Sequence, residues 1–283
     1  MGKLSIYARN KLLDHIFNVP YVPASNVYLC LCTADPTESG TGAAMNEYPD
    51  SNGYARTAIS FGPALNRRIT QNADLTFPQT PGVFSPAITH WAICDNAAHG
   101  SGNMLAFGTV SPSFTSSAGE IPTVDSGDVY IEVGATASGA GFSTYCINAL
   151  LDLMFRNIPF TSPSGNTFLS LYTEILTDAD DDTTDKIEET ATEYVRIEIN
   201  PNGGVSPTWN LASNGALSNT HEIMINPDIQ VDDWHTIVAI AIVTTSSGAG
   251  KILCYDQANI VDQQPRLSDL VRFLAGDLDI GLI

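Results

Sequence analysis

Eight residues near the start of the chain, Asn10-Lys11-Leu12-Leu13-Asp14-His15-Ile16-Phe17, return as Asn148-Ala149-Leu150-Leu151-Asp152-Leu153-Met154-Phe155. In both, apolar residues fall three and four apart, the spacing of an amphipathic helix. Two more blocks follow in the same order. Val27-Tyr28-Leu29-Cys30-Leu31-Cys32-Thr33 corresponds to Thr167-Phe168-Leu169-Ser170-Leu171-Tyr172-Thr173, each behind a loop with two prolines (Pro20 and Pro23; Pro159 and Pro163). Tyr54-Ala55-Arg56-Thr57-Ala58-Ile59 corresponds to Tyr194-Val195-Arg196-Ile197-Glu198-Ile199 at the same separation of 140 positions. Equal separations argue against chance, so the chain is one unit written twice, and that constrains its fold before anything else does.

The later blocks read as strands. Leu75-Thr76-Phe77-Pro78 is set against Met224-Ile225-Asn226-Pro227, and residues 88–94 against 237–243. Gly102-Asn103-Met104-Leu105-Ala106-Phe107 is set against Gly250-Lys251-Ile252-Leu253-Cys254-Tyr255, a turn opening into a strand. Residues 267–274 have helical spacing, but their assigned counterpart Val129-Tyr130-Ile131-Glu132-Val133 alternates, so both are read as strands. The expectation is a mainly β protein of two tandem antiparallel sandwich or partly closed barrel domains, each opened by a short N-terminal helix and built from six or seven strands. The first domain spans 1–134, a Gly/Ala/Ser linker 135–141, and a divergent second copy 142–283, whose ending from 276 onward has only linker opposite it in the first.

Composition narrows function. The chain has 283 residues, enough for two domains with their own cores. Acidic side chains number 31 against 12 basic, a net charge of −19 that repels phosphate backbones and acidic lipid, so neither nucleic acid nor a membrane is an expected partner. The longest apolar run, 237–243, is far short of the ~20 residues that cross a bilayer. The N-terminus has no signal-peptide core, which predicts synthesis in the cytoplasm. Five cysteines, at 30, 32, 94, 146 and 254, fit neither a disulfide framework nor metal spacing and read as reduced core thiols.

Few residues qualify as sites. Clustered carboxylates in 178–189 make Asp180, Asp182 and Asp185 candidates for a hard cation, against the alternative of a solvated surface insertion. The five histidines have no metal spacing, and no nucleophile elbow accompanies them. His90 and Trp91 lie on opposite faces of a strand, which makes Trp91 a packing residue. Tyr54 with Arg56, and Tyr194 with Arg196, place a ring and a guanidinium on one face in each copy. They are read as an internal pair with a carboxylate such as Asp50, as the guanidinium stacked on the Tyr ring, or as contacts to a neighbouring subunit. No catalytic residue and no cofactor is expected.

The first copy carries a fuller series: Tyr28-Leu29 to Thr33-Ala34-Asp35-Pro36, Gly53-Tyr54-Ala55-Arg56, Thr76-Phe77-Pro78, His90-Trp91-Ala92-Ile93-Cys94-Asp95 and Gly102-Asn103-Met104-Leu105. Over residues 4–134 it resembles a family of small structural proteins of tailed bacteriophages, labelled tail-fibre or virion structural proteins. The second copy keeps the helix, Tyr194-Val195-Arg196 and the Gly250 turn, but lacks the Thr-Asp-Pro and His-Trp elements. The resemblance implies a non-enzymatic virion component. The reading favoured at this point is a capsid decoration or cement protein, a homo-oligomer seated on the major capsid protein, where a trimer of two-domain chains mimics a sixfold surface. The alternatives are a tail, neck or fibre component, or a glycan-binding adhesin using loop 34–52 and Tyr48.

Overall fold

A computed structural model describes residues 2–134, 140–160, 166–225, 234–257, 265 and 271–282. The first copy runs β1 (Gly2–Leu4), α1 (Ile6–Phe17), β2 (Val27–Cys32), β3 (Thr57–Ile59), β4 (Arg68–Thr70), β5 (Leu75–Thr76), β6 (Ile88–Cys94), β7 (Met104–Phe114), β8 (Thr123–Val124) and β9 (Tyr130–Glu132). The second repeats that order as β10 (Ala140–Phe142), α2 (Thr144–Arg156), β11 (Thr167–Tyr172), β12 (Ile197–Ile199), β13 (Ala216–Ser218), β14 (Ile223–Ile225), β15 (Ala239–Val243), β16 (Ile252–Asp256), β17 (Val271–Phe273) and β18 (Asp279–Gly281). The expected class holds: mainly β, two tandem copies, each with its helix near the start. Each copy has nine strands among the described residues, more than the six or seven expected, because the extra ones are only two or three residues long.

The central antiparallel strands follow one plan. In the first copy β2 lies between β3 and β6, and β6 pairs with β7. In the second β11 lies between β12 and β15, and β15 pairs with β16. A register shift recurs in both, between Ile93 and Cys94 and between Ile242 and Val243. The first sheet has seven strands, in the order β3-β2-β6-β7-β1-β9-β4, and curls into a half-barrel.

The helices begin the same way. Ser5 and Ser143 have extended backbone and accept from the N–H groups of Ala8 and Cys146 at 3.1 Å. Each hydroxyl then donates to a strand carbonyl of its own copy, Met104 or Ile252. One residue thus caps the helix, a contribution of about 1 kcal/mol, and pins it to the sheet.

Three strand assignments need correction. β5 and β14 both bury their first residue and expose the second, so Leu75 corresponds to Ile223, one position earlier than assigned. A slip of one residue reverses the faces of a strand, and burial decides it. Second, β9 pairs with β4 as β18 pairs with β13, so Val129-Tyr130-Ile131 corresponds to Leu278-Asp279-Ile280. The ending from 276 is therefore a strand of the repeat. Third, β17 corresponds to β8, since they pair with β14 and β5; the earlier part of the 267–274 assignment lies outside the described residues. Ala140 and Gly141, given to the linker on composition, pair with β16 in β10.

All five cysteines are buried and free. Cys30, Cys32 and Cys94 line one face of the first sheet with Met45 and Met104, where burial pushes the Cys30 and Cys32 thiols well up. The opposite face, with Leu29, Leu31, Trp91 and Ile93, joins a larger core. That core is continuous from one copy into the other and contains both helices.

Candidate functional site

The tyrosine–arginine pairs lie inside each copy. Tyr54 Oη accepts from the Leu31 N–H at 3.0 Å and donates to Glu47 Oε1 at 2.8 Å. Arg56 grips the same carboxylate at both ends, Nε to Oε1 at 2.8 Å and Nη2 to Oε2 at 2.7 Å. Its remaining donors reach the carbonyls of Asn96, Ser101 and Gly42, each at 2.8 Å. The Arg56 side chain is 0% exposed and that of Glu47 5%. Burial is the largest single influence on the guanidinium pKa and lowers it, but the Glu47 hydrogen bonds together with the electrostatic pull of Cys30, Cys94 and Glu47 exceed it and the net shift is upward.

The second copy repeats the cluster. Tyr194 bonds Leu171 and Glu188, and Arg196 takes Glu188 at 2.8 and 2.6 Å with Thr245 and Gly248 as backbone acceptors. The partner is therefore Glu47 or Glu188, not Asp50, which is exposed. Single bridges from Cys32 to Glu47 and from Tyr172 to Glu188 bring each glutamate back beside the strand. Their separation differs by one position from that of the arginines, which hides the correspondence in the sequence.

The acidic stretch lies in loop 173–188, which is the counterpart of residues 33–47 and one residue longer, rather than an insertion. Its carboxylates are occupied by protein groups. Asp180 accepts from Thr177 N–H and hydroxyl, Asp185 from the N–H groups of Asp181 and Asp182, and Asp182 pairs with Lys251 at 2.7 Å. Asp181 accepts from Tyr145 N–H in the first turn of α2, where a negative charge is stabilised. Among the described residues, no three His, Cys, Asp or Glu side chains converge as a metal site. Tyr48, expected as a sugar platform, is 1% exposed and packs on Phe84, ring centroids 4.5 Å apart, so it offers no face to a glycan.

The most organised constellation is the contact between the copies. Each helix lies against a hairpin of the other copy. On α1, Asn10 Oδ1 accepts from Gly215 N–H at 2.7 Å and Asp14 Oδ1 from Ala212 N–H at 2.9 Å. On α2, Asn148 Oδ1 accepts from Arg67 N–H at 2.8 Å and Asp152 Oδ1 from Ala64 N–H at 2.9 Å. Beside each set an aromatic pair crosses the boundary: Phe17 with Trp209 at 5.0 Å, Phe155 with Phe61 at 5.5 Å. Each patch meets the other copy's version of the same patch, the pattern of an isologous dimer contained in one chain.

An arginine completes each half, but from different positions. Arg67, at a positive φ in the first hairpin, donates to the carbonyls of Val133, Gly134 and Phe142 and pairs with Asp178. The equivalent of Arg67 is Gly215, and there Arg9 of α1 supplies the charge, reaching Leu282 O and Glu38. Gly215 is also at positive φ, and an added Cβ would sit 3.3 Å from Arg9 Nε. Arg9 in turn corresponds to buried Ile147 on α2. The two sites keep one cation each by exchanging which element provides it.

His15 spans the same boundary. Its Nδ1 accepts from Tyr21 N–H at 3.0 Å, which leaves the proton on Nε2, 3.2 Å from Phe160 O of the second copy. Burial pushes its pKa below the ordinary value near 6.5, against the smaller upward pull of the Phe160 carbonyl. Below about pH 6.5 the unfolded chain takes up this proton before the folded one does, so stability falls as pH drops through the folded pKa. Thermal melts from pH 7.5 to 5 are expected to show wild type losing more stability than His15→Gln; parallel curves would refute the assignment.

Duplicated β units closed on each other through one core, with Arg9, Arg56, Arg67 and Arg196 spent on internal contacts, define a structural module. The sequence pattern described as podophage GP4 fiber I protein gp80 matches residues 3–132 and again 141–281. The chain belongs to that family of bacteriophage virion structural proteins, as a tandem duplication. The match covers the second copy as well as the first, beyond what its own motifs carried. No curated protein matches the chain. No helix among the described residues is long and apolar enough to cross a membrane.

Proposed function

We propose that this protein is a non-catalytic component of a podophage fibre or its attachment to the particle, acting through contacts with other virion proteins. The observation that carries this reading is the fibre family's pattern, present in both halves. The internal geometry supports it, because Tyr54 and Arg56 are tied to Glu47 as hydrogen-bonded scaffolding and the shifted thiols Cys30 and Cys32 sit in a packed core. The inter-copy lock supports it too, since a rigid double unit loses little conformational freedom on docking. The capsid cement role rests on compactness and on the sixfold surface that a trimer of two-domain chains would mimic, and nothing at the site favours it over a fibre. Cryo-microscopy of phage particles with and without the gene is expected to place the missing density on the tail. Density on the capsid shell instead would overturn the fibre reading.

A further inference from the structure

The copies differ at one seam. In the first, Gly2 of β1 bridges in parallel to Ile131 of β9, joining the β9–β4 hairpin to the main sheet. Trp91 of β6, 4% exposed, packs beneath that bridge, so close that a Cβ added to Gly2 would overlap its ring. By the pairings above, Ala140, Ile280 and Ile240 occupy the places of Gly2, Ile131 and Trp91. There β10 is the edge of its five-stranded sheet, and β18 pairs with β13 in a separate sheet. Between them runs a groove of about 230 Å³, floored by Phe142, Ile240 and Ile280 and edged by Asp277 and Asp279.

We propose that this groove receives a tryptophan side chain carried on an extended, basic segment of another virion protein. The choice of occupant rests on three observations. The equivalent space in the first copy is filled by an indole, and the second copy carries the smaller Ile240 there. The lip carries the exposed carboxylates of Asp277 and Asp279 on a chain of net charge −19, which attracts Lys or Arg beside the anchor and repels acidic segments. Among the described residues β10 and β18 each have a strand partner on one side only, so an extended backbone can add hydrogen bonds at either rim. That the segment belongs to a virion protein rests on the function proposed above; the groove's preference for a basic, indole-bearing peptide does not.

The test is titration of Lys-Trp-Lys amide and Lys-Ala-Lys amide into the full-length protein, followed by calorimetry and by NMR. The expected result is saturable binding of the tryptophan peptide, at least tenfold tighter than the alanine peptide and weakened by salt. Ile240→Trp, which installs the first copy's side chain, is expected to abolish it. Asp279→Asn, at an exposed position that leaves the packing intact, is expected to weaken it about twofold. Absence of saturation, equal affinity for the two peptides, or wild-type affinity in Asp279→Asn together with a folded Ile240→Trp would overturn the proposal. Because the assay uses purified protein, its outcome is independent of where the protein sits on the particle.

Discussion

Replacing Arg56 with Ala is expected to destabilise the fold by about 3–5 kcal/mol, the range for removing one partner of a buried ion pair. Glu47, at 5% exposure, is left with no cationic neighbour but the His99 imidazole, 3.7 Å away and charged only when protonated, and the carbonyls of Gly42, Asn96 and Ser101 lose the donor they share. Much of the cost is the uncompensated carboxylate, so Glu47→Gln added to Arg56→Ala should recover part of it. Arg56→Lys should fall between wild type and Ala, because an ammonium cannot span both carboxylate oxygens while reaching three carbonyls. Arg196→Ala should cost less, since Glu188 is 20% exposed and water can solvate it. Denaturant unfolding of the variants measures each difference. A loss below about 1 kcal/mol for Arg56→Ala would mean the cluster is no tighter than a surface pair.

How much of this was legible in the sequence depends on the range of the interaction. The helices, with Asn10 and Asp14 repeated as Asn148 and Asp152, were visible because helical periodicity is local. β2 and β11 were visible because a strand buried on both faces reads as an apolar run. The one-residue slip between Leu75 and Met224 was not visible, since Thr76-Phe77 and Ile225-Asn226 are both plausible strand residues and only burial assigns their faces. Glu47 was missed for Arg56 because its loop is one residue shorter than that of Glu188, which breaks the matched spacing. The exchange between Arg9 and Arg67 was beyond reach, because each looks unpaired when its own counterpart, Ile147 or Gly215, is consulted. Asn10 and Asp14 stood in the repeat from the start, but their partners lie about 200 residues away in the other copy. A polar pair four apart on an otherwise apolar helix face was the available signal, and within one copy it points to no partner.

That shared boundary sets the second large effect. Trp209→Ala is expected to cost about 3–5 kcal/mol, the range for truncating a fully buried Trp. Trp209 is 0% exposed, its ring packs on Phe17 of the other copy, and its indole N–H donates to Thr167 Oγ1 at 2.9 Å. Thr167 retains its bond to Ile199 O, so the loss is mainly the cavity and the cross-copy contact rather than a stranded hydroxyl. Because α1 buries Leu12, Leu13, Ile16 and Phe17 in a core continuous with the second copy, neither half can open there without exposing the other. Calorimetry should therefore show one transition in wild type, with matching calorimetric and van't Hoff enthalpies. Trp209→Ala should lower that whole transition by roughly 6–10 °C at the low end of the scaling for a chain of this size. Two resolved transitions, with only one displaced by the substitution, would mean that the copies fold as separate domains and that the polar lock of Asn10, Asp14, Asn148 and Asp152 is a surface contact.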